Sequence, residues 1–204
     1  MNSRRALTAA AAVLSISLAS QARAQTSPVY TLNHGASVVG FTISGSMIFK
    51  VSQDGRFNNF TGEVSYDPAH PASTHVALTV YTGSVDTRDA KNDQLLRSRD
   101  FFDVEQFPTM QFVSASASSM ADGTLAVTGD MTIRGVTKRI TIPVKFRSDQ
   151  QAGLASSGVF ESTFQIDRTE FGLNGIPKWN GFKVSISKNV QIHIAIATTI
   201  APPG

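Results

Sequence analysis

Cysteine is absent from this chain of 204 residues. That gap excludes a disulfide framework, a thiolate metal site, a cysteine nucleophile and a lipid-modified cysteine anchor. A fold without such staples must be held by its core alone, which about 180 residues can supply in one domain. Histidine is scarce as well. His34, His70, His75 and His193 show no metal-ligand spacing, and a zinc site is not expected. No Gly-x-Ser-x-Gly elbow and no phosphate-binding loop occurs. There is no internal repeat, no sign of a second domain, and no apolar run after residue 24 long enough to span a bilayer.

Net charge is the next thing missing. The formal +3 comes from 18 Lys+Arg against 15 Asp+Glu. Arg4, Arg5 and Arg23, however, lie in a segment that reads as a removable address. Arg4 and Arg5 give a basic start, Ala6 to Ser20 an apolar run, and Ala22-Arg23-Ala24 the small-x-small pattern cut by signal peptidase. Residues 1–24 are therefore expected to be a signal peptide and residues 25–204 a single mature domain in the periplasm. Ser3 to Leu7 fits part of a twin-arginine signal, so export by Sec or by Tat stays open. Without that segment the charges balance, and no basic footprint for nucleic acid remains.

What is present is alternation. Leu125, Val127, Gly129, Met131 and Ile133 share one face of a run whose other face is Thr124, Ala126, Thr128, Asp130 and Thr132. Ile140, Ile142, Val144 and Phe146 alternate with Arg139, Thr141, Pro143 and Lys145, after a turn at Arg134-Gly135. Such period-2 runs are half-buried strands. Pro143 cannot donate to a ladder, which predicts an edge, a bulge or a widely spaced pair there. Similar runs recur around Phe60, Val64 and Tyr66, around Val76, Leu78 and Val80, and from Val190 to Ile196. Turn clusters such as Gln53-Asp54-Gly55 and Ala121-Asp122-Gly123 separate them. Short, evenly spaced strands argue an antiparallel barrel or a sandwich. Only Asp89 to Ser98 reads as helix, with Thr87 as the expected N-cap and Arg97 and Arg99 at the negative end.

Two strings carry a resemblance. Leu96-Arg97-Ser98, Phe101-Phe102-Asp103-Val104 and Phe107-Pro108 form one, and Gly129-Asp130 with Thr132 to Lys138 the other. With Gly55 to Gly62 and Arg168…Phe171-Gly172, they make the chain resemble the YceI-like family of secreted, polyisoprenoid-binding proteins from about Tyr30 to Ala197. The resemblance implies an all-β fold: an eight-stranded antiparallel lipocalin-like barrel with one short helix. It also implies an interior cavity, along which Phe41, Ile43, Phe57, Phe60, Val76, Leu78, Phe112, Met131, Ile133, Ile142, Phe164 and Ile194 are placed. Periodicity alone favours a filled core at any one of these positions; it is the resemblance that points to a cavity.

The chain departs from the family around the helix. It has Asn92-Asp93 and Leu95-Leu96-Arg97-Ser98 where the family often carries Arg-Asp and His-Leu-Arg-Ser, although Arg88 stands one turn earlier. Asp86, Arg88, Asp93 and Arg97, with Arg99, form either a solvated surface of structural ion pairs or a polar mouth for a lipid head group. Burying a tail at roughly 0.8 kcal/mol per CH₂ gives about 4 kcal/mol per five-carbon unit. A few units approach the ceiling of roughly 18–21 kcal/mol, so ordering must cancel much of the gain.

The resulting expectation is a non-enzymatic periplasmic carrier of one polyisoprenoid or other long-chain amphipathic lipid, of the quinone or polyprenyl phosphate class. It has no nucleic-acid partner and no cofactor beyond that lipid. Trp179 beside Asn180-Gly181 is compatible with transient membrane contact, and the sequence is compatible with a homodimer. Two alternatives stand beside it: an enzyme or electron-transfer accessory acting on a bound quinone, and a filled barrel serving as a stress-response interaction module.

Overall fold

The computed structural model describes residues 29–46, 50–148, 157–176, 178–179, 182–183 and 185–200. The expected signal peptide lies outside these residues. Among the described residues, thirteen strands and one α-helix follow one another. They are β1 (Val29–Leu32), β2 (Val38–Ser46), β3 (Lys50–Phe57), β4 (Phe60–Ser65), β5 (His75–Tyr81), β6 (Val85–Asp86) and α1 (Ala90–Arg97). Then come β7 (Thr109–Ser119), β8 (Leu125–Ile133), β9 (Val136–Ser148), β10 (Ser157–Asp167), β11 (Lys178–Trp179), β12 (Phe182–Lys183) and β13 (Ser185–Ile200).

Eight of these strands close a ring. The order is β1-β4-β5-β7-β8-β9-β10-β13, all antiparallel, and β1 pairs back onto β13 through Tyr30–Ile200 and Leu32–Thr198. Closure removes the exposed sheet edge that would otherwise template aggregation. β2 continues the wall along β13, β3 pairs with β2, and β6 pairs with β3 at Arg56–Asp86 and Phe57–Val85. The barrel is thus taller on this side, and α1 sits against β6 at that upper end.

The strands lie where alternation places them. On β8, Leu125, Val127 and Ile133 are buried while the intervening Thr128 and Thr132 bond outward-facing threonines of β9. The turn joining β8 to β9 is a two-residue hairpin with both central residues at positive φ, Arg134 at 49° and Gly135 at 74°. That twist matches the flanking strands. Gly135 is the natural residue there, and the ring of Phe107 covers it so closely that a Cβ would stand 2.9 Å from it. Arg134 is the strained partner, and its guanidinium donates to Gly172 O and Arg99 O at 2.7 Å each. The two family strings therefore meet in space, one supplying the hairpin and the other the ring and carbonyl that anchor it.

The interior is apolar in three stacked groups. At the lower end Tyr30, Tyr66, Phe146 and Phe160 pack edge-on and tilted, with centroids 4.7–5.7 Å apart. The middle and upper barrel hold Val39, Phe41, Phe57, Phe60, Val80 and Val85. Above them Ile133, Phe171 and Leu173 form the top layer. Phe112 lies over Gly129, where a Cβ would come within 2.7 Å of the ring.

Two details differ from the sequence reading. The helix cap is Asp89, whose carboxylate accepts from Lys91 N and Asn92 N; Thr87 instead donates its hydroxyl to Asp93 Oδ1 at 2.7 Å. Pro143 pairs with Ala126 of β8 and sits just past the end of the β9–β10 ladder, whose last pair is Lys145–Glu161. No helix among the described residues is long and apolar enough to cross a membrane.

Candidate functional site

A cavity of about 120 Å³ lies inside the ring. Nine of the twelve residues placed along it from sequence line it: Phe57, Val76, Leu78, Phe112, Met131, Ile133, Ile142, Phe164 and Ile194. Phe41 and Ile43 of β2 and Phe60 of β4 do not; they pack in the core cluster that also holds Val39, Val80 and Val85. Phe41 is turned over Gly55 and Phe60 stacks on His34 at 5.2 Å. Lining residues that the sequence reading passed over include Val144, Ile166, Ile192 and Ile196, each in phase with a neighbour that it did name.

The lining is almost wholly apolar. Ser162 contributes a hydroxyl, but it donates to Pro143 O at 2.6 Å. Glu63 is exposed, and Glu161 holds Arg147 at 2.9 Å. His193 lies on the opposite side of β13 from Ile192 and Ile194, with Nε2 3.3 Å from Thr42 Oγ1, which donates to Asp54. His70 pairs with Asp67 at 2.8 Å in an exposed loop. Among the described residues no three His, Asp or Glu side chains gather as a metal site.

Asp86, Arg88, Asp93 and Arg97 come together around α1, yet none of them lines the cavity. Asp93 accepts from both the backbone N–H and the hydroxyl of Thr87, at 2.7 Å each. Asp86 accepts from Arg88 N at 2.9 Å, from Asn58 and from Arg56, and these donors hold its carboxyl below the usual range, the Arg88 N–H most of all. Arg88 is exposed, at φ 61°. Arg97 reaches back along the chain, donating through Nε to Gly83 O at 2.9 Å and through Nη2 to Val85 O at 2.7 Å. Here the polar side chains fasten the 83–88 segment, while Leu96 and Phe102 from the same corner turn inward onto the core. Phe102 meets Phe57 edge-on at 5.6 Å.

A consequence can be measured. Replacing Arg97 with Ala removes two charge-assisted bonds to backbone carbonyls and should lower stability by about 1–3 kcal/mol. Well below the melting temperature, lipid uptake should be unchanged. A selective loss of head-group-bearing lipids with an unaltered melt would return Arg97 to a polar mouth.

A closed antiparallel barrel with an apolar interior and one helix at its rim defines a lipocalin-like binding fold. Residues 30–198 match the YceI-like domain, and the chain belongs to that family. A UPF0312 protein of Ectopseudomonas mendocina (strain ymp) is 44% identical over 92 residues, 45% of this chain and 48% of the relative. Another, from Vibrio cholerae serotype O1 (strain M66-2), is 40% identical over 121 residues, 58% of this chain and 64% of the relative. The chain thus matches from about half to just under two thirds of these relatives' length. Among solved structures, Burkholderia cenocepacia BcnA aligns with a TM-score of 0.70 at 24% identity, covering 81% of this chain and 98% of that one. A polyisoprenoid binding domain from Saccharophagus degradans aligns with a TM-score of 0.66 at 14% identity, covering 86% and 99%. At these identities the two likenesses establish the fold.

Proposed function

We propose that this protein is a non-enzymatic binding protein that sequesters the tail of a polyisoprenoid or similar long-chain lipid inside the barrel, in the periplasm after signal cleavage. The observation that carries the reading is the apolar cavity of about 120 Å³ inside the ring. Family membership and the described ligand class of the Saccharophagus neighbour support it. Catalysis on the lipid has no equipment in the lining, whose polar members face outward or bond the backbone.

The cavity volume sets a condition on this function. At about 10–15 Å³ of cavity per water-sized group, 120 Å³ holds roughly ten such groups, about two five-carbon segments. Ligand pockets usually run to about 300–1,000 Å³. Loading a long tail must therefore displace lining side chains, and Met110 and Met131 are suited to that, being unbranched and adaptable. The same small volume favours a second reading, a filled barrel that works as an interaction module.

Organic extraction of the purified protein followed by mass spectrometry separates the two. The binding reading expects a stoichiometric long-chain lipid, or uptake of added ubiquinone or polyprenol. Neither lipid nor uptake leaves the filled barrel standing, and a chemically altered lipid after incubation would bring back the enzyme.

A further inference from the structure

We propose that the lipid tail enters and leaves sideways, through the stretch of wall where β9 and β10 part, and that Pro143 is the residue that ends their ladder. This rests on the lipid-binding reading above.

β9 and β10 are long, 13 and 11 residues, yet they pair only through Lys145–Ser148 and Gly158–Glu161. From Val136 to Val144, β9 pairs with β8 alone, and from Ser162 to Asp167, β10 pairs with β13 alone. The ladder stops for a chemical reason. Pro143 O accepts from Ser162 Oγ at 2.6 Å, so its backbone edge faces β10. In an antiparallel strand the N and the carbonyl of one residue point to the same neighbour. The donor that should form the next rung is the one proline lacks.

Beyond that point the parting opens onto the cavity. Ile142 and, behind it, Met131 and Ile133 line the cavity from one bank; Phe164 and Ile166 line it from the other. The Tyr30, Tyr66, Phe146 and Phe160 rings occupy the lower end, and Phe171 and Leu173 with Ile133 the upper. The far end of the parting is tied off by Lys138–Glu170 at 3.2 Å and by Arg134 to Gly172 O. Widening the stretch between these ties breaks no ladder pair and costs only the Ser162–Pro143 bond, whereas elsewhere in the wall successive rungs must be lost. A slim, flexible apolar chain is the kind of ligand such a slit passes.

Among the described residues, another break in the wall lies where β1 stops pairing with β4 after Tyr30–Val64 and the 3₁₀ turn His34–Ala36 intervenes. It is the competing route. Its neighbour Ser37 is fastened in place, accepting from Ala197 N at 2.9 Å and donating to Asn33 O at 2.6 Å, while Asn33 N donates to Ala197 O at 2.8 Å.

The absence of native cysteine makes the test clean. Continuing the register of Lys145–Glu161 brings Thr141 opposite Gln165, both exposed. The double variant Thr141→Cys/Gln165→Cys is closed by oxidation or by a short bis-maleimide, and Thr31→Cys/Glu63→Cys is treated likewise across the competing break. Tritiated solanesol in detergent micelles is the probe. The expected result is uptake and release slowed at least tenfold by the first staple, restored by reduction of the disulfide form, with little effect of the second. Pro143→Val, which restores the missing donor, should also slow exchange severalfold. Unchanged rates with the first staple closed, or slowing by the second alone, overturn the portal while leaving binding intact. No uptake by the unmodified protein overturns the binding reading and the portal together.

Discussion

Arg168→Ala is expected to lower the stability of this protein by about 3–5 kcal/mol, a large share of the roughly 5–15 kcal/mol that holds a typical domain together. The side chain is buried at 7% exposure and serves carbonyls rather than a carboxylate. Nε donates to Ser187 O at 2.9 Å, and Nη1 donates to Leu173 O and, at 3.4 Å, to Gly175 O. These bonds tie the start of β13 and the 173–175 segment to the end of β10, and so hold Phe171 and Leu173 over the barrel. Burial pushes the guanidinium pKa down, but an arginine still stays charged, which a lysine in the same place does less securely. Truncation strands three carbonyls in or near the core, each worth about 1–3 kcal/mol when left without a donor. For a domain of this size the melting temperature should fall by about 10 °C, and Arg168→Lys should recover only part of it, because an ammonium cannot fork to several acceptors. A thermal melt within about two or three degrees of the parent would show that the top layer stands without this arginine.

The second large effect is on binding. Met131→Trp places an indole in the middle of a cavity of about 120 Å³ from a position that lines it on β8. Met131 is only half-buried and unbranched, so the wall can absorb the change better than at fully buried Val127. Lipid uptake is expected to drop at least tenfold, about 1.4 kcal/mol or more in binding free energy. The melting temperature should stay within a few degrees or rise. Equilibrium titration with ubiquinone, alongside a thermal melt, reads both. Unchanged affinity in a folded variant would mean that the tail lies elsewhere.

The barrel was legible because each strand has one dry face and one wet face. Leu125 to Ile133 shows it plainly, and the Arg134-Gly135 turn fixes where the next strand must begin. What alternation cannot encode is height. Phe41, Ile43 and Phe60 carry the same inward phase as Phe57 and Ile194, yet these three pack within the core cluster without reaching the cavity. The helix is a different case. Its length and cap region follow from composition, yet the cap proved to be Asp89, because Thr87 gives its hydroxyl to Asp93. Residue type marks Arg97 as a donor without saying for whom. Its acceptors, Gly83 and Val85, lie more than ten residues back and are carbonyls, which every residue carries and no sequence pattern distinguishes.

The pairing of Phe112 with Gly129 reaches beyond packing. Phe112 lines the cavity, and the hydrogen at residue 129 is what lets its ring recline against the wall. Val113 O also lies too close to admit a Cβ there. A methyl group added at that floor would have to displace both the ring and the β7 backbone. The capacity of the barrel is thus gauged from behind its lining, by an atom that no ligand would ever touch.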